Sequence, residues 1–262
     1  MSYGERIPTK SRREIEKMRE AARYVAEILL ELREMTEPGV TTADLACHAE
    51  KAIDKRGVKS PFLGYSPGGV PPYPAVLCVS VNEEIVHGIP GKRELLEGDI
   101  VSLDFAVEHE GVYGDSACTI PVGPITGDTE RLLQVTREAL YDGIAEMVPG
   151  KRLSDIGHAV QQRAEAAGFS VVRQFVGHGI GRQLHEPPQI PNFGQPGRGP
   201  RLVPGMVFAI EPMVNMGGFG VRVLDDRWTA VTEDGALSSH FEHTVLITEN
   251  GPEIMTRVAG SH

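Results

Sequence analysis

Apolar side chains recur at steps of three and four after Ser11, which is the spacing of an amphipathic helix. The segment Ser11-Arg-Arg-Glu14 is a capping box, in which a serine and a glutamate satisfy the first free backbone N–H groups of a helix. The pattern predicts that this helix ends before Pro38-Gly39. It also predicts a second helix over about 43–56, which stops at Gly57.

Strands and a second pair of helices follow. A loop rich in proline and glycine, residues 60–74, leads to predicted strands at about 75–81, 100–109, 112–121, 170–176, 206–214, 228–233, 241–248 and 253–257. Helices are predicted at about 128–147 and 154–167. The order of two helices followed by strands therefore occurs twice, which predicts an α+β fold made of two similar halves.

A short internal repeat supports this duplication. Pro38-Gly39, Asp44 and Gly57 correspond to Pro149-Gly150, Asp155 and Gly168 at a constant offset of 111 residues (149 − 38). We interpret residues 11–262 as one domain with halves of about 11–122 and 123–257, preceded by an N-terminal extension of residues 1–10. Two unrelated helix pairs with the same cap chemistry are the alternative explanation.

The composition is that of an ordinary folded protein, with 40% hydrophobic and 24% charged residues among 262. The formal net charge is -10 and the basic residues are scattered, which argues against a nucleic-acid-binding protein because phosphate contacts need clustered lysine and arginine. Three cysteines without a CxxC pair exclude a disulfide framework and a cysteine-rich zinc site. The sequence has neither an apolar run of membrane-spanning length nor an apolar signal core, so we expect a cytoplasmic protein.

Two carboxylates lie on a predicted β-hairpin. The apolar runs on either side of Glu110-Gly111 predict antiparallel strands joined by a two-residue turn. In that register Asp104 lies opposite Ala117 and Asp115 lies opposite Ala106, so both carboxylates point to one face within reach of a shared ion. A carboxylate in an apolar strand costs free energy unless it is paired or metal-bound. For Asp104 alone, a solvated strand face is the more ordinary explanation.

Three further candidate ligands lie in apolar or glycine-rich surroundings. His178 lies in a glycine-rich loop, and Glu211 and Glu242 border apolar strands, where a buried glutamate needs a partner. With the two aspartates they make five donors, mostly oxygen with one imidazole, which suits Mn, Fe, Co or Zn. Four carboxylates exceed the charge of one divalent ion and balance two. The set therefore predicts a two-metal site that activates water and polarises a carbonyl or phosphoryl oxygen.

These residues occur in six ordered stretches that resemble the type I methionine aminopeptidases of the bacterial kind, from the Ser11 helix to about Ile254. The stretches are Ser80-Val-Asn-Glu-Glu-Ile-Val-His-Gly-Ile-Pro, Gly98-Asp-Ile-Val-Ser-Leu-Asp, Tyr113-Gly-Asp-Ser, Gly177-His-Gly-Ile-Gly-Arg-Gln-Leu-His-Glu-Pro-Pro, Glu211-Pro-Met-Val-Asn and Phe241-Glu-His-Thr. Many motifs in one order are far more specific than any one of them.

The resemblance implies the pita-bread fold, with two pseudo-symmetric helix-helix-strand halves around a central antiparallel sheet. It implies two divalent ions, Fe(II), Mn(II), Co(II) or Zn(II), held by Asp104, Asp115, His178, Glu211 and Glu242. It further implies removal of the initiator methionine from nascent proteins when the second residue is small. In this reaction a hydroxide that bridges the two metal ions attacks the first peptide carbonyl.

The resemblance also assigns roles to three catalytic side chains. His185 hydrogen-bonds the carbonyl oxygen or the scissile amide as charge develops. His87 orients the peptide and helps to move a proton, and Glu211 carries the proton of the water to the leaving amine. His87 and His185 therefore also contact the substrate.

The methionine pocket that the resemblance implies is apolar and able to grip a thioether. Its side chains are Phe62, Tyr65, Tyr73, Cys78, Leu184 and Trp228. Phe62 stands where a cysteine is common in the family and Leu184 where a phenylalanine is common, and the 65–73 loop is a few residues longer. Asn82 and Ser238 match positions that in relatives help to bind a monovalent cation.

The partner that the resemblance implies is the N-terminus of a nascent polypeptide that begins with methionine, with a transient ribosome contact. We expect a monomer that binds neither nucleic acid nor membrane. An X-prolyl aminopeptidase or prolidase is the second interpretation, but those relatives carry an N-terminal domain and only about ten residues precede the first helix. A type II methionine aminopeptidase needs a helical insert between the glutamate ligands, which the 31-residue gap (242 − 211) excludes. A binding module of the same fold would have lost ligands.

Overall fold

The computed structural model describes residues 7–257. Its helices are α1 (Arg12–Met35), α2 (Thr42–Arg56), α3 (Gly127–Ala145) and α4 (Leu153–Ala166). Its strands are β1 (Cys78–Val81), β2 (Glu84–Val86), β3 (Ile100–His109), β4 (Val112–Pro121), β5 (Ser170–Val171), β6 (Gly177–Gly179), β7 (Glu186–Ile190), β8 (Val207–Ile210), β9 (Met213–Asn215), β10 (Val221–Val223), β11 (Ala230–Thr232), β12 (Ser238–His240), β13 (Glu242–Thr248) and β14 (Gly251–Ile254). The predicted α+β fold is confirmed.

All four predicted helices form. The capping box at the start of α1 is present, with the backbone N–H of Ser11 donating to the Glu14 carboxylate at 2.8 Å. Helix α2 ends at Gly57, whose φ of 66° lies in the left-handed region that favours glycine. The buried face of α1 packs closely on β4. Gly114 on β4 permits this approach, since a Cβ atom there would collide with the backbone of Ala22 on α1.

One antiparallel sheet of eight strands organises the molecule, in the order β1-β3-β4-β13-β8-β6-β7 with β14 paired to β13. Helices α1 and α2 share an apolar core with β1 and β3, and helices α3 and α4 share a second core with β8 and β13. Two smaller sheets, β10-β11-β2 and β12-β9-β5, complete the described chain. The two helix pairs thus lie over different parts of one sheet.

The two halves repeat several local hydrogen bonds. The backbone N–H of Gly39 donates to Leu95 at 2.9 Å, and the backbone N–H of Gly150 donates to Leu202 at 2.9 Å. Both glycines have φ of 92°. These bonds tie the start of α2 and the start of α4 to the chain in the same way. The domain boundaries themselves stay a prediction.

The hairpin register is confirmed. Strands β3 and β4 pair so that Asp104 lies opposite Ala117 and Ala106 lies opposite Asp115. The turn residues Glu110 and Gly111 have φ of 48° and 80°. Positive φ at both central residues is the requirement of the two-residue turn that fits the twist of a hairpin.

Several strand boundaries were predicted wrongly. The predicted strand over 206–214 is two strands, β8 and β9, because Pro212 has no N–H to donate to the ladder. The predicted strand over 170–176 is paired only at Ser170–Val171. His178, predicted in a loop, lies in the short strand β6. Strands β2, β6, β7, β10 and β12 were not predicted, because they are short or rich in glycine and proline. Within residues 7–257 no helix is long and apolar enough to cross a bilayer.

Candidate metal centre

Five neighbouring strands of the central sheet each bring one candidate ligand to the same cavity. Asp104 lies on β3, Asp115 on β4 and His178 on β6. Glu242 begins β13, and Glu211 directly follows the last residue of β8. All five side chains line one cavity of about 640 Å³. The sheet order β3-β4-β13-β8-β6 therefore aligns the five candidates in a row across the strands.

His178 faces the carboxylates with one ring nitrogen. Its Nδ1 lies 2.9 Å from the carbonyl oxygen of Gly179, to which an Nδ1–H donates. This bond directs Nε2 toward Glu211 Oε1 at 3.5 Å and Asp115 Oδ2 at 3.8 Å. Burial, and then the neighbouring His185, lower the pKa of His178 to about 3, so its imidazole is neutral at pH 7. A neutral ring oriented by a backbone carbonyl is the usual form of a metal-binding histidine.

The carboxylates lack the partners that burial demands. Among residues 7–257, one carboxylate oxygen each of Asp104, Asp115 and Glu242 is buried without a hydrogen-bond partner. Burial raises the pKa of all four carboxyl groups, and for Asp115, Glu211 and Glu242 the neighbouring carboxylates raise it further. Ligand atoms of Asp115, His178 and Glu242 all lie within 4.8 Å of one another. Unpartnered anionic oxygens beside a neutral imidazole fit divalent metal ions.

His87 lines the same cavity on the side of the aromatic residues. Its backbone adopts a φ of 62°, and its ring packs edge-on against Phe175 and Trp228 with centroid distances of 5.3 and 5.9 Å. Burial lowers the pKa of His87 to about 4. The ring is therefore a neutral hydrogen-bonding group at pH 7.

His185 lies next to His178, with ring centroids 4.5 Å apart in an edge-to-face arrangement. The Tyr65 hydroxyl is 3.0 Å from His185 Nδ1. This contact leaves Nε2 free to meet a ligand in the cavity. Both histidines predicted to contact the substrate thus lie beside the candidate ligands.

The six predicted pocket residues, Phe62, Tyr65, Tyr73, Cys78, Leu184 and Trp228, all line this cavity. Trp228 is fixed by a hydrogen bond from Nε1 to the carbonyl oxygen of Pro71 at 2.8 Å, and Tyr73 packs edge-on against it at 5.1 Å. The Tyr73 hydroxyl donates to the carbonyl oxygen of Gly88 at 2.8 Å, so the polar end of Tyr73 points away from any apolar ligand. The pocket wall is therefore aromatic and apolar.

Asn82 and Ser238 lie beside each other, outside the residues that line this cavity. The backbone N–H of Ser238 donates to the carbonyl oxygen of Asn82 at 2.9 Å. The Asn82 side chain donates to Asp99 at 2.8 Å and accepts from the backbone of Ile100 at 3.0 Å. The cation site at these residues stays a prediction.

His240 also lies near the candidate ligands and was not predicted from the sequence. This buried ring lies 4.0 Å from Glu211 through Nε2, and within residues 7–257 neither ring nitrogen has a hydrogen-bond partner. Burial, and then His87, lower its pKa to about 3. The signal available in the sequence is that His240 lies two residues before Glu242, because side chains at i and i+2 of an extended chain point to the same side.

Comparisons with known proteins identify the family of this chain. A model of metallopeptidase family M24 matches residues 16–249, a range that includes all five candidate ligands. The chain is 53% identical over 252 residues to methionine aminopeptidase 1 of Bacillus subtilis (strain 168), covering 96% of this chain and 100% of the relative. The crystal structure of methionine aminopeptidase from Thermotoga maritima is similar with 49% identity and a TM-score of 0.92, covering 97% of this chain and 100% of that chain. The enzyme from Rickettsia prowazekii is similar with 38% identity and a TM-score of 0.93, covering 96% and 100%.

Proposed function

This chain belongs to metallopeptidase family M24 and, within it, to the bacterial methionine aminopeptidases, and from this premise we propose that it removes the N-terminal methionine from nascent polypeptides whose second residue is small. The observation that carries the proposal is the row of five ligand-type side chains beside an aromatic pocket in one cavity. A nascent substrate implies that the protein acts in the cytoplasm beside the ribosome. We propose that it does so as a monomer.

We propose that Asp104, Asp115, His178, Glu211 and Glu242 hold two divalent ions. Four ionised carboxylates carry four negative charges, which two divalent cations balance and one does not. Oxygen donors with one imidazole suit Mn(II), Fe(II), Co(II) or Zn(II). When bound, such ions polarise a peptide carbonyl and make water a nucleophile at neutral pH.

His185 stabilises the charge that develops on the carbonyl oxygen of the first residue. When the Tyr65 hydroxyl donates to Nδ1 of His185, 3.0 Å away, the imidazole proton lies on Nε2. Nε2–H then donates to the carbonyl oxygen, which becomes negative as water adds to the carbon. A fixed donor aimed at a developing negative charge lowers the barrier.

Two further groups handle protons. Glu211 takes a proton from the attacking water and gives it to the leaving amine, and its raised pKa suits a group that must hold the proton between the two steps. His87 is neutral at pH 7, so its ring offers one donor and one acceptor. It holds the peptide backbone in register with Glu211.

The apolar end of the cavity selects the first side chain. Three aromatic rings form a wall of the pocket. The ring centroid of Trp228 lies 6.4 Å from that of Tyr65 and 5.1 Å from that of Tyr73. A thioether is polarizable and gains from contact with aromatic rings. Leu184 and Phe62 complete this wall, so a flexible unbranched side chain such as methionine fits it better than a charged one.

A peptide-release assay on metal-stripped protein tests the function. Mn(II), Fe(II), Co(II) or Zn(II) is added back, and Met-Ala-Ser, Met-Lys-Ser and Ala-Pro are supplied separately. We expect metal-dependent release of methionine from Met-Ala-Ser alone. Cleavage of Ala-Pro instead would assign the chain to the prolidase side of the fold. A folded sample that cleaves no peptide with any ion would contradict the proposal and favour a binding module.

The number of ions is tested separately by isothermal titration of the metal-stripped protein with Mn(II). Two ions per chain are expected in wild type. A stoichiometry of one that does not rise at high Mn(II) would contradict the two-ion proposal without contradicting the aminopeptidase activity. Circular dichroism of each sample controls for loss of fold.

A further inference from the structure

A buried ion pair lies behind the loop that carries His185. Lys10 Nζ is 2.5 Å from Glu186 Oε2, and only 1% and 7% of the two side chains are exposed. Glu186 directly follows His185, whereas Lys10 comes from the segment before α1. The pair therefore joins the N-terminal part of the described chain to the loop of residues 181–185.

The Glu186 carboxylate also fixes the backbone of that loop. Its Oε1 accepts hydrogen bonds from the backbone N–H of Arg182 at 2.6 Å and of Gln183 at 3.2 Å. One oxygen thus holds the turn of the loop, while the other oxygen is held by the Lys10 ammonium. A change in the position of this carboxylate would move the backbone that precedes His185.

Lys10 occupies a fixed position of its own. Its backbone N–H donates to the carbonyl oxygen of Gly205 at 2.8 Å. A Cβ atom at Gly181 would lie 2.0 Å from Lys10 Cε, so only glycine fits at residue 181 while Lys10 stays in place. At the surface, Glu14 receives a second hydrogen bond from the loop, from Arg182 Nε at 2.5 Å. Lys10, before α1, and Glu14, in the first turn of α1, therefore hold the loop at two points.

Net stability does not explain this pair. Taking two charges out of water costs free energy that their attraction barely repays, and apolar residues of similar volume often stabilise a protein as well or better. The ion pair does fix one geometry, because an ammonium and a two-oxygen carboxylate with backbone donors match in a single arrangement. The side chain whose direction depends on that arrangement is His185, at the end of the loop.

We propose that Lys10 and Glu186 are positioning residues for His185. The pair fixes the backbone of the 181–185 loop, while the Tyr65 hydroxyl contacts Nδ1 of the His185 ring at 3.0 Å. The inference rests on the proposed function, in which His185 donates to the reacting carbonyl. It adds that catalysis requires the segment before α1 to be folded against the 181–185 loop, which the residues of the cavity alone do not indicate.

The test uses the full chain with Lys10→Met, and Lys17→Met as the matched control. Lys17 forms a more exposed ion pair, with Glu110 at 2.9 Å, and its side chain therefore contacts the turn between β3 and β4 instead of the 181–185 loop. With saturating Mn(II) and Met-Ala-Ser, we expect Lys10→Met to lower kcat by about 10- to 100-fold, because misplacing a reacting group by about 1 Å has effects of this size. The Mn(II) dissociation constant should change by less than about threefold, since neither Lys10 nor Glu186 is among the five candidate ligands. Leu184 lies in the same loop, so KM can rise, but by a smaller factor than the one by which kcat falls.

A second measurement does not depend on activity. In metal-free protein with 13C-labelled histidine, the ring signal of His185 should shift or broaden in Lys10→Met, whereas the ring signal of His48 on α2 should not move. Lys17→Met should match wild type in both signals. A wild type that releases no methionine would contradict the proposed function, while this spectrum would still decide whether Lys10 positions His185.

The double variant Lys10→Met/Glu186→Gln separates position from stability. It leaves no unpaired buried charge, and the glutamine oxygen still accepts from the loop backbone, so it is the variant to use if Lys10→Met does not fold. We expect it to fold with the His185 signal still displaced and kcat still low. Wild-type kcat with an unmoved His185 signal in either variant would overturn the proposal. A parallel loss of Mn(II) affinity would also overturn it, because it would indicate general loosening of the site.

Discussion

Replacing Asp104 with asparagine should stabilise the metal-free protein while it abolishes methionine release. Burial raises the pKa of Asp104 from 3.8 to about 7. Because one pKa unit corresponds to about 1.4 kcal/mol, keeping this carboxylate ionised above pH 7 costs the folded protein about 4 kcal/mol relative to the unfolded chain. Asparagine has the same shape and no charge, and its N–H₂ group can donate to the neighbouring carboxylates. The substitution therefore removes most of this cost together with a candidate metal ligand.

The sign of the effect determines its pH dependence. The pKa of Asp104 is higher in the folded protein, so its proton stabilises the fold fully below about pH 4 and this stabilisation is lost as the pH rises toward 7. Relative to its value at low pH, the free energy of unfolding is lowered by the raised pKa of Asp104 by about 2 kcal/mol at pH 5 and by about 4 kcal/mol at pH 8. The advantage of Asp104→Asn over wild type should therefore grow by about 2 kcal/mol between pH 5 and pH 8.

Urea unfolding, followed by circular dichroism in the presence of a chelator at both pH values, measures this difference. Asp54→Asn is the control, because Asp54 is exposed on α2 and outside the cavity. Addition of Mn(II) should reverse the order of stability, since ions that bind only the folded state stabilise wild type more than a variant that lacks a ligand. If Asp104→Asn were no more stable than wild type at pH 8 in chelator, the carboxylates could not be the uncompensated cluster described above.

Three further substitutions test other parts of the site and fold. Glu211→Gln should lower methionine release by at least about 10³-fold with an unchanged circular dichroism spectrum, because an amide cannot carry the proton; near-normal turnover with defined Mn(II) would contradict the assignment. Leu184→Ala should raise KM for Met-Ala-Ser by about tenfold through lost packing, whereas Leu63→Ala, at a position that is 57% exposed, should leave KM unchanged. Gly157→Ala should destabilise the fold by about 2–3 kcal/mol in urea unfolding, because its Cβ would lie 2.0 Å from a backbone carbonyl oxygen. Gly127→Ala has open space around it, and an equal loss of stability there would refute the steric explanation.

The long regular elements could be predicted because their signals are local. The capping box at Ser11 and the apolar spacing behind it define α1 within a few residues. The two-residue turn at Glu110-Gly111 sets the register of β3 and β4, and that register places Asp104 and Asp115 on one face. The start of α1 and the register of the β3–β4 hairpin depend on residues close to one another in the sequence, so both can be predicted without knowing the rest of the fold.

Elements decided by distant contacts could not be predicted. Strand β6 consists of Gly177, His178 and Gly179, a composition typical of a loop, and it pairs only because β7 and β8 lie on either side. Lys10 precedes any regular element, and its partner Glu186 is 176 residues away. The family resemblance supplied the candidate ligands, but it assigned no role to Glu186, which lies in one of the matching stretches, and it did not point to Lys10.

The row of candidate ligands across five strands has a consequence for dynamics. Binding and catalytic groups are often found on loops, which open at low free energy. Here the donors stand on or directly beside paired strands in the middle of the sheet, and their side chains converge on one cavity. Backbone amides around the centre should exchange with solvent only on global unfolding, and the centre should exist only once strands from residues 100–248 have paired. Metal ions would thus bind the completed sheet and not its folding intermediates, and we expect metal loading to follow folding.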